Sequence, residues 1–250
     1  MRILALANWK GGVGKTTSAL ALAGSLTRLA PHLPIVVADF DVQGNASAGL
    51  GCRPPADGGA GTWLRGGAAL DTCLVETRVP GLSVLPADTH LQDLRLTPEQ
   101  VAYRLRLGLR NTDGILVADT PPGARAITRG VLLAAGAVVI PVQPDPYSAQ
   151  GLFGLLRDVA LLRPDDPPLV RVLPVMWRAR GVEERNFGDL LQHRLPDQLL
   201  AAIPQNAAVR RSAHRGLPVT IAERYSPAGI AYGHAAEEVL RAWRPAGKSA

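Results

Sequence analysis

One octapeptide constrains this chain more than any other segment: Lys10-Gly-Gly-Val-Gly-Lys-Thr-Thr17, set between a short apolar run at residues 3–7 and a stretch of helical spacing at residues 15–29. Glycines let backbone N–H groups converge on an anion that side chains would obstruct. The helix that follows turns its positive end toward the same point. A strand, a glycine loop and a helix in that order make a phosphate-binding loop. Gly11, Gly12, Val13 and Gly14 supply the cradle. Lys15 is expected to reach the β- and γ-phosphates of a nucleotide, Thr16 to offer its hydroxyl to Mg²⁺, and Thr17 to touch the α-phosphate.

The rest of the chain repeats this alternation. Residues 34–38, 82–85, 115–118, 137–140 and 169–175 are apolar runs without polar alternation. Helical stretches are expected at 124–135, 147–162 and 229–244, the last packing on the domain through Ile230, Ala236, Val239, Leu240 and Trp243. Buried strands separated by helices predict an α/β fold, a mainly parallel twisted sheet with helices on both faces. With 47% apolar and 19% charged residues in 250, residues 1–250 are expected to form one such domain, with a frayed tail at 245–250. The Gly/Pro-rich segment 51–67 reads as a surface loop with one helical turn. The longest apolar run, 131–142, is too short to cross a bilayer and suits a helix end followed by a strand. The N-terminal apolar stretch runs straight into the glycine loop, so it reads as a first strand and not a signal peptide. Cytoplasm is the expected compartment. Cys52 and Cys73 lie outside any CxxC pair and read as reduced structural thiols, with a disulfide or a bridging metal site as the alternatives.

Two further segments put carboxylates at strand ends. Asp39-Phe-Asp41-Val-Gln-Gly-Asn45 follows the second strand, at the carboxyl end where α/β sheets bind ligands. Ile115-Leu-Val-Ala-Asp119 has the form of a Walker B strand, and Asp119 is expected to hold hydrated Mg²⁺.

The octapeptide resembles the deviant Walker A motif of the ParA/MinD family of P-loop ATPases. In that family the first lysine, here Lys10, reaches across a nucleotide-sandwich homodimer to the partner's phosphates and supplies the charge of an arginine finger. Composition agrees that the position is special. The chain has 24 arginines and three lysines, and two of the three are Lys10 and Lys15. Both positions prefer a compact ammonium to a planar fork.

The resemblance implies more. The segment at Asp39 is similar to the family's DxDPQGN, with Val42 in place of the usual proline, a change that should affect loop stiffness more than chemistry. It makes Asp41 the residue that positions or activates the attacking water, and Asp39 a support for either the metal site or the loop. Thr120-Pro-Pro122, Gly81-Leu-Ser-Val-Leu-Pro-Ala87, Ile140-Pro-Val-Gln143 with Gly151-Leu152, Ala202-Ile-Pro-Gln-Asn206 and Gly216-Leu-Pro-Val219 resemble further family blocks in family order. By the same resemblance adenine is held near Met176 and by Pro204 and Asn206. Gln205 stands where arginine is usual.

The resemblance implies a DNA-segregation ATPase with ATP and Mg²⁺ as cofactors. It is expected to be nucleoid-associated, with a ParB-like centromere-binding protein and nonspecific DNA as partners. It matches the small form of the family, without a helix-turn-helix arm before the first strand. Charge fits this. Residues 1–100 carry eight basic and eight acidic residues, so the whole excess of +6 falls in residues 101–250, the distribution a polyanion surface needs. Arg178, Arg180, Arg185, Arg210, Arg211 and Arg215 are the candidate DNA contacts. The alternatives are a MinD-like ATPase acting on membrane and one positioning a protein assembly. Glu237, Glu238 and Pro245 make the C-terminal segment ill-suited to lipid.

Overall fold

The structure, a computed structural model, describes residues 1–56, 58–145, 148–178 and 180–243. Seven strands form one sheet: β1 (Arg2–Leu6), β2 (Ile35–Asp39), β3 (Val75–Glu76), β4 (Leu82–Leu85), β5 (Ile115–Asp119), β6 (Ala137–Val142) and β7 (Leu169–Pro174). Their order is β3-β4-β2-β5-β1-β6-β7. Every neighbouring pair is parallel except β3 with β4 at one edge. The mainly parallel sheet expected from the apolar runs is present. β2, β5 and β6 are buried at every position, so up to the terminal Asp39 and Asp119 neither face has any use for a polar residue.

Successive side chains point to opposite faces and feed two cores. Ala5, Val36, Ala38, Leu116, Ala118 and Val138 face one core, with Leu64, Leu105, Val131, Leu155 and Leu191 covering them. Leu4, Leu6, Val37, Val117 and Val139 face the other, under Leu22, Leu26, Tyr232 and Val239. The covering helices, in chain order, are α1 (Lys15–Leu29), α2 (Asn45–Gly49), α3 (Ala60–Arg65), α4 (Leu70–Cys73), α5 (Pro98–Gly108), α6 (Ala126–Ala134), α7 (Ser148–Leu162), α8 (Val182–Arg194), α9 (Ala207–His214), α10 (Val219–Ala222) and α11 (Pro227–Ala242). Among the described residues no helix is long and apolar enough to cross a membrane.

Three expectations need correction. Segment 51–67 contains the expected helical turn, but that turn is not on the surface. The segment's second half is α3, which buries Trp63 and Leu64 in the core, because Asp88 takes the backbone N–H groups of Gly59 and Thr62 at 2.7 and 2.9 Å and anchors the helix inward. The C-terminal helix starts at Pro227, where Ser226 accepts from the Gly229 N–H. Its buried face is Tyr232, Ala235, Ala236 and Val239, which leaves Ile230 46% exposed. Small residues let α11 lie close to α1, so size and not apolarity sets the stripe. Helix α5 was not expected, although Thr97-Pro-Glu-Gln100 writes a full capping box with proline at its first position. Tyr147, Arg244 and the tail 245–250, all part of sequence-based expectations, lie outside the described residues.

Gly24 of α1 fixes the contact between α1 and α10. A Cβ there would stand 2.8 Å from both Pro218 and the Thr220 hydroxyl. Only glycine lets α10 lie directly on α1, where the Thr220 hydroxyl donates to the Ala21 carbonyl at 2.9 Å.

Candidate nucleotide site

Strands β2, β5 and β1 end at one level, which brings the glycine loop and both strand-end carboxylates together. In the loop Gly12 and Gly14 take left-handed backbone angles, φ 74° and 82°, which turn the chain from β1 into α1 at little cost only for glycine. Val13 is buried beneath them. The loop is braced from behind. Buried Asn8 donates to the Pro141 carbonyl at 2.8 Å and accepts the Lys10 N–H at 2.9 Å. Thr120 donates to the Leu6 carbonyl at 2.7 Å, and Gln143 to the Gly12 carbonyl at 2.8 Å.

Lys15 is buried, and its ammonium donates to the Lys10 carbonyl at 3.0 Å across the loop. Burial lowers its pKa, opposed by the charges of Asp119 and Asp41. An ammonium desolvated this far, held by one carbonyl, suits a phosphate oxygen as its next partner.

Asp39 and Asp119 face each other in register across β2 and β5, and both are fully buried. Their partners differ. Asp39 is taken up by its own loop: one oxygen accepts the Ser47 N–H at 2.8 Å and the Ser47 hydroxyl at 2.7 Å, the other the Asp41 N–H at 3.3 Å. Burial raises its pKa and those bonds oppose the rise. Among the described residues Asp119 accepts only the Thr16 hydroxyl, at 2.7 Å, and its second oxygen has no hydrogen-bond partner there. Burial pushes its pKa up to about 7. An orphaned carboxylate oxygen beside a threonine hydroxyl, under a phosphate cradle, fits a hydrated divalent cation. Of the two aspartates, Asp119 has the free lone pairs for it.

Asp41 is half-exposed, and one carboxylate oxygen accepts the Gln43 N–H at 3.1 Å. Lys10 is 47% exposed and its ammonium meets Asp145 at 2.8 Å.

Beside the cradle lies a cleft of about 230 Å³ lined by Gly14, Thr17, Met176, Pro204, Asn206 and Tyr232, among others. Met176, Pro204 and Asn206, far apart in sequence, are thus brought to one wall. Segment 203–205 pairs with the end of β7 through the Trp177–Pro204 bridge. Among the described residues Met176 is the one non-glycine with positive φ, at 56°, a conformation that costs on the order of 1 kcal/mol or more. Tyr232 closes the floor, its hydroxyl 3.1 Å from that of Ser18.

A family model described as "AAA domain" matches residues 1–168. The chain is also 32% identical to the chromosome partitioning protein ParA of Caulobacter vibrioides, over 96% of this chain and 94% of that one. It belongs to the ParA family. The chromosome-partitioning ATPase Soj of Thermus thermophilus is 34% identical over 96% of each chain. The septum site-determining protein MinD of Pyrococcus horikoshii, solved with Mg-ADP, superposes with a TM-score of 0.80 at 21% identity over 95% of each chain. That likeness concerns the fold.

Against this ParA-family background the six arginines singled out for DNA fall into two groups. Arg178, Arg180 and Arg185 surround the start of α8, where Arg178 is ion-paired with Glu184 at 2.5 Å and with Glu183 at 3.7 Å. Arg210, Arg211 and Arg215 lie on α9 or just beyond it. Arg211 and Arg215 share the carboxylate of Glu223, whereas Arg210 lines the rim of the cleft. Sequence reasoning missed Asn8, Ser47, Asp145, Tyr232 and Glu223. Asn8 left a signal, a lone amide ending an apolar strand. Ser47 left a weaker one, eight residues beyond Asp39. Cys73 is buried and Cys52 half-buried.

Proposed function

We propose that Mg·ATP drives this chain into a sandwich homodimer that binds DNA without sequence preference. A ParB-like centromere-binding partner then stimulates hydrolysis and release. The coarse activity follows from the family: the chain is a ParA-type partition ATPase that uses ATP and Mg²⁺. The observation that carries the finer reading is the division of labour between two lysines on one loop. Lys15 is buried and points into its own cradle, whereas Lys10 is 47% exposed at the loop's entrance. A cation beside, and not inside, its own cradle, ion-paired there with the partly exposed Asp145, can exchange that carboxylate for the phosphates of a second copy.

In this reading the Lys15 ammonium exchanges the Lys10 carbonyl for β- and γ-phosphate oxygens, and Thr17 closes on the α-phosphate. Thr16 and Asp119, the latter through water, hold Mg²⁺, which supplies charge neutralisation along the phosphates. Asp41 orients the attacking water from the loop that Asp39 holds in shape. Lys10 of the opposite copy meets the charge that grows on the transferred phosphoryl group. Met176, Pro204 and Asn206 enclose the base. Arg178, Arg180, Arg185, Arg210, Arg211 and Arg215 give the dimer its DNA surface, and the protein resides on the nucleoid in the cytoplasm.

Membrane positioning has less support. A lipid-seeking C-terminal helix needs a free apolar face, and the apolar face of α11 is spent on the core through Tyr232, Ala236 and Val239. The test is binding to random-sequence duplex DNA with and without Mg·ATP, beside binding to anionic vesicles. ATP-dependent capture by DNA alone is expected. Capture by vesicles alone would sink the partition reading.

A further inference from the structure

Glu223 holds two of the candidate DNA arginines. Its two oxygens accept from Nε and Nη2 of Arg211, both at 3.0 Å, and Nη1 of Arg215 lies 3.7 Å away. This carboxylate bridges α9, which lines the nucleotide cleft, and the end of α10, which reaches the cleft only through its contact with α1. α9, which carries Arg211, forms one wall through Ala207, Val209 and Arg210. Glu223 closes the end of α10, and α10 is fastened to α1. There the Thr220 hydroxyl donates to the Ala21 carbonyl at 2.9 Å, and Arg28 reaches the Thr220 carbonyl at 3.4 Å. α1 in turn begins in the phosphate cradle, and its Thr17 faces the same cleft. The ion pair therefore ties the base-binding wall to the phosphate-binding wall.

We propose that Glu223 is an electrostatic gate on DNA binding: in the nucleotide-free protein it occupies Arg211 and Arg215, and nucleotide seated between α1 and α9 releases them to DNA phosphates. The proposal rests on the DNA-binding reading above and names its regulation. The physics suits a gate. The arginine fork matches carboxylate and phosphate alike. With Arg211 and Arg215 more than half exposed, at 54% and 57%, the pair is weak enough to exchange partners. A shift of either wall by a fraction of a hydrogen-bond length is enough to spoil a two-point contact. Arg210, which has no carboxylate partner among the described residues, serves as an ungated contact on the same helix.

The test compares wild type, Glu223→Gln and Glu237→Gln for affinity to a random-sequence duplex, without nucleotide and with Mg·ATP, across a salt series. Glu237 is an acid of α11 with no ion pair among the described residues, so its removal controls for net charge. Glu223→Gln should tighten nucleotide-free binding on the order of threefold per released arginine and steepen the log–log salt slope by about 0.9 for each added phosphate contact. Binding with Mg·ATP should change much less, so the nucleotide dependence narrows. Arg211→Ala should weaken the Mg·ATP state and spare the nucleotide-free one. An equal gain in both nucleotide states, or the same gain from Glu237→Gln, reduces Glu223 to bulk charge and overturns the gate. So does a Glu223→Gln profile that matches wild type while wild type binds DNA with Mg·ATP; in that case the DNA reading stands alone. If neither protein binds DNA in any state, both fall together.

Discussion

The glycine loop and the cleft, proposed above to take the phosphates and the base, sit side by side, yet they are built in opposite ways. The cradle is eight consecutive residues whose working atoms are mostly backbone N–H groups, and its geometry is written in the order of its glycines. The cleft is assembled from segments near residues 14–17, 175–176, 203–210 and 232, which meet only because β1, β7 and α11 are packed in place. The lesson is about tolerance. Side-chain changes in the cradle strike charges that have no substitute, whereas the cleft spreads its contacts over many groups.

The contrast predicts a descending series of effects. Lys15→Ala should cost nucleotide binding about 2–5 kcal/mol, as expected for removing one member of a desolvated charge pair. Titration with a fluorescent nucleotide checks it, and a loss below about threefold would break the contrast outright. Lys10→Ala should leave that affinity near wild type and lose the hydrolysis that depends on the dimer, read as phosphate release in the presence of DNA and partner. Full turnover there would remove the case for a shared cradle.

A third prediction concerns pH. The carboxyl of Asp119 holds its proton up to about 7 in the folded protein against 3.8 for an ordinary aspartate, so the folded state binds the proton more tightly than the unfolded chain. Its contribution to stability is therefore complete at pH below the ordinary value and declines as pH rises toward 7. Mg²⁺ binding, which needs the anion, should strengthen over the same window. Asp119→Asn should flatten that part of the thermal-stability profile. An unchanged profile would show that another group titrates. The smallest effect belongs to the cleft. Tyr232→Phe removes a buried hydroxyl from its bond with Ser18 and should cost about 0.5–1.5 kcal/mol of stability. A comparably small loss in nucleotide affinity, seen by calorimetry, fits distributed contacts, and a large one would give the cleft a single anchor.

Legibility followed the same divide. The glycine loop, Asp39 and Asp119 could be read because each follows an unbroken apolar run, and a parallel sheet buried on both faces leaves few other patterns; Asp41 was legible through the resemblance of the segment it shares with Asp39. The roles of Asp39 and Asp119 could not be told apart that way. Their difference lies in Ser47, a residue eight positions away that turns back under Asp39. Segment 51–67 misled because glycine and proline signal a loop, while Trp63 and Leu64 are held inward by Asp88, distant in sequence. Ile230 misled because α11 packs through alanine and glycine, which carry no strong apolar signal. The Glu223 pairs join residues separated by the α9–α10 turn, and no local pattern announces them.

One feature at the margin of the sheet bears on how copies of this chain can meet. On one side the sheet ends in the two-residue antiparallel β3, too short to template another strand. On the other, segment 198–203 runs beside β7, where Val172 donates to the Gln198 carbonyl and Leu200 to that of Val172. Both borders are thus closed to strand-to-strand growth. At high local concentration the chain is thereby guarded against fibre-like stacking of sheets, and contact between copies is left to surfaces governed by side chains.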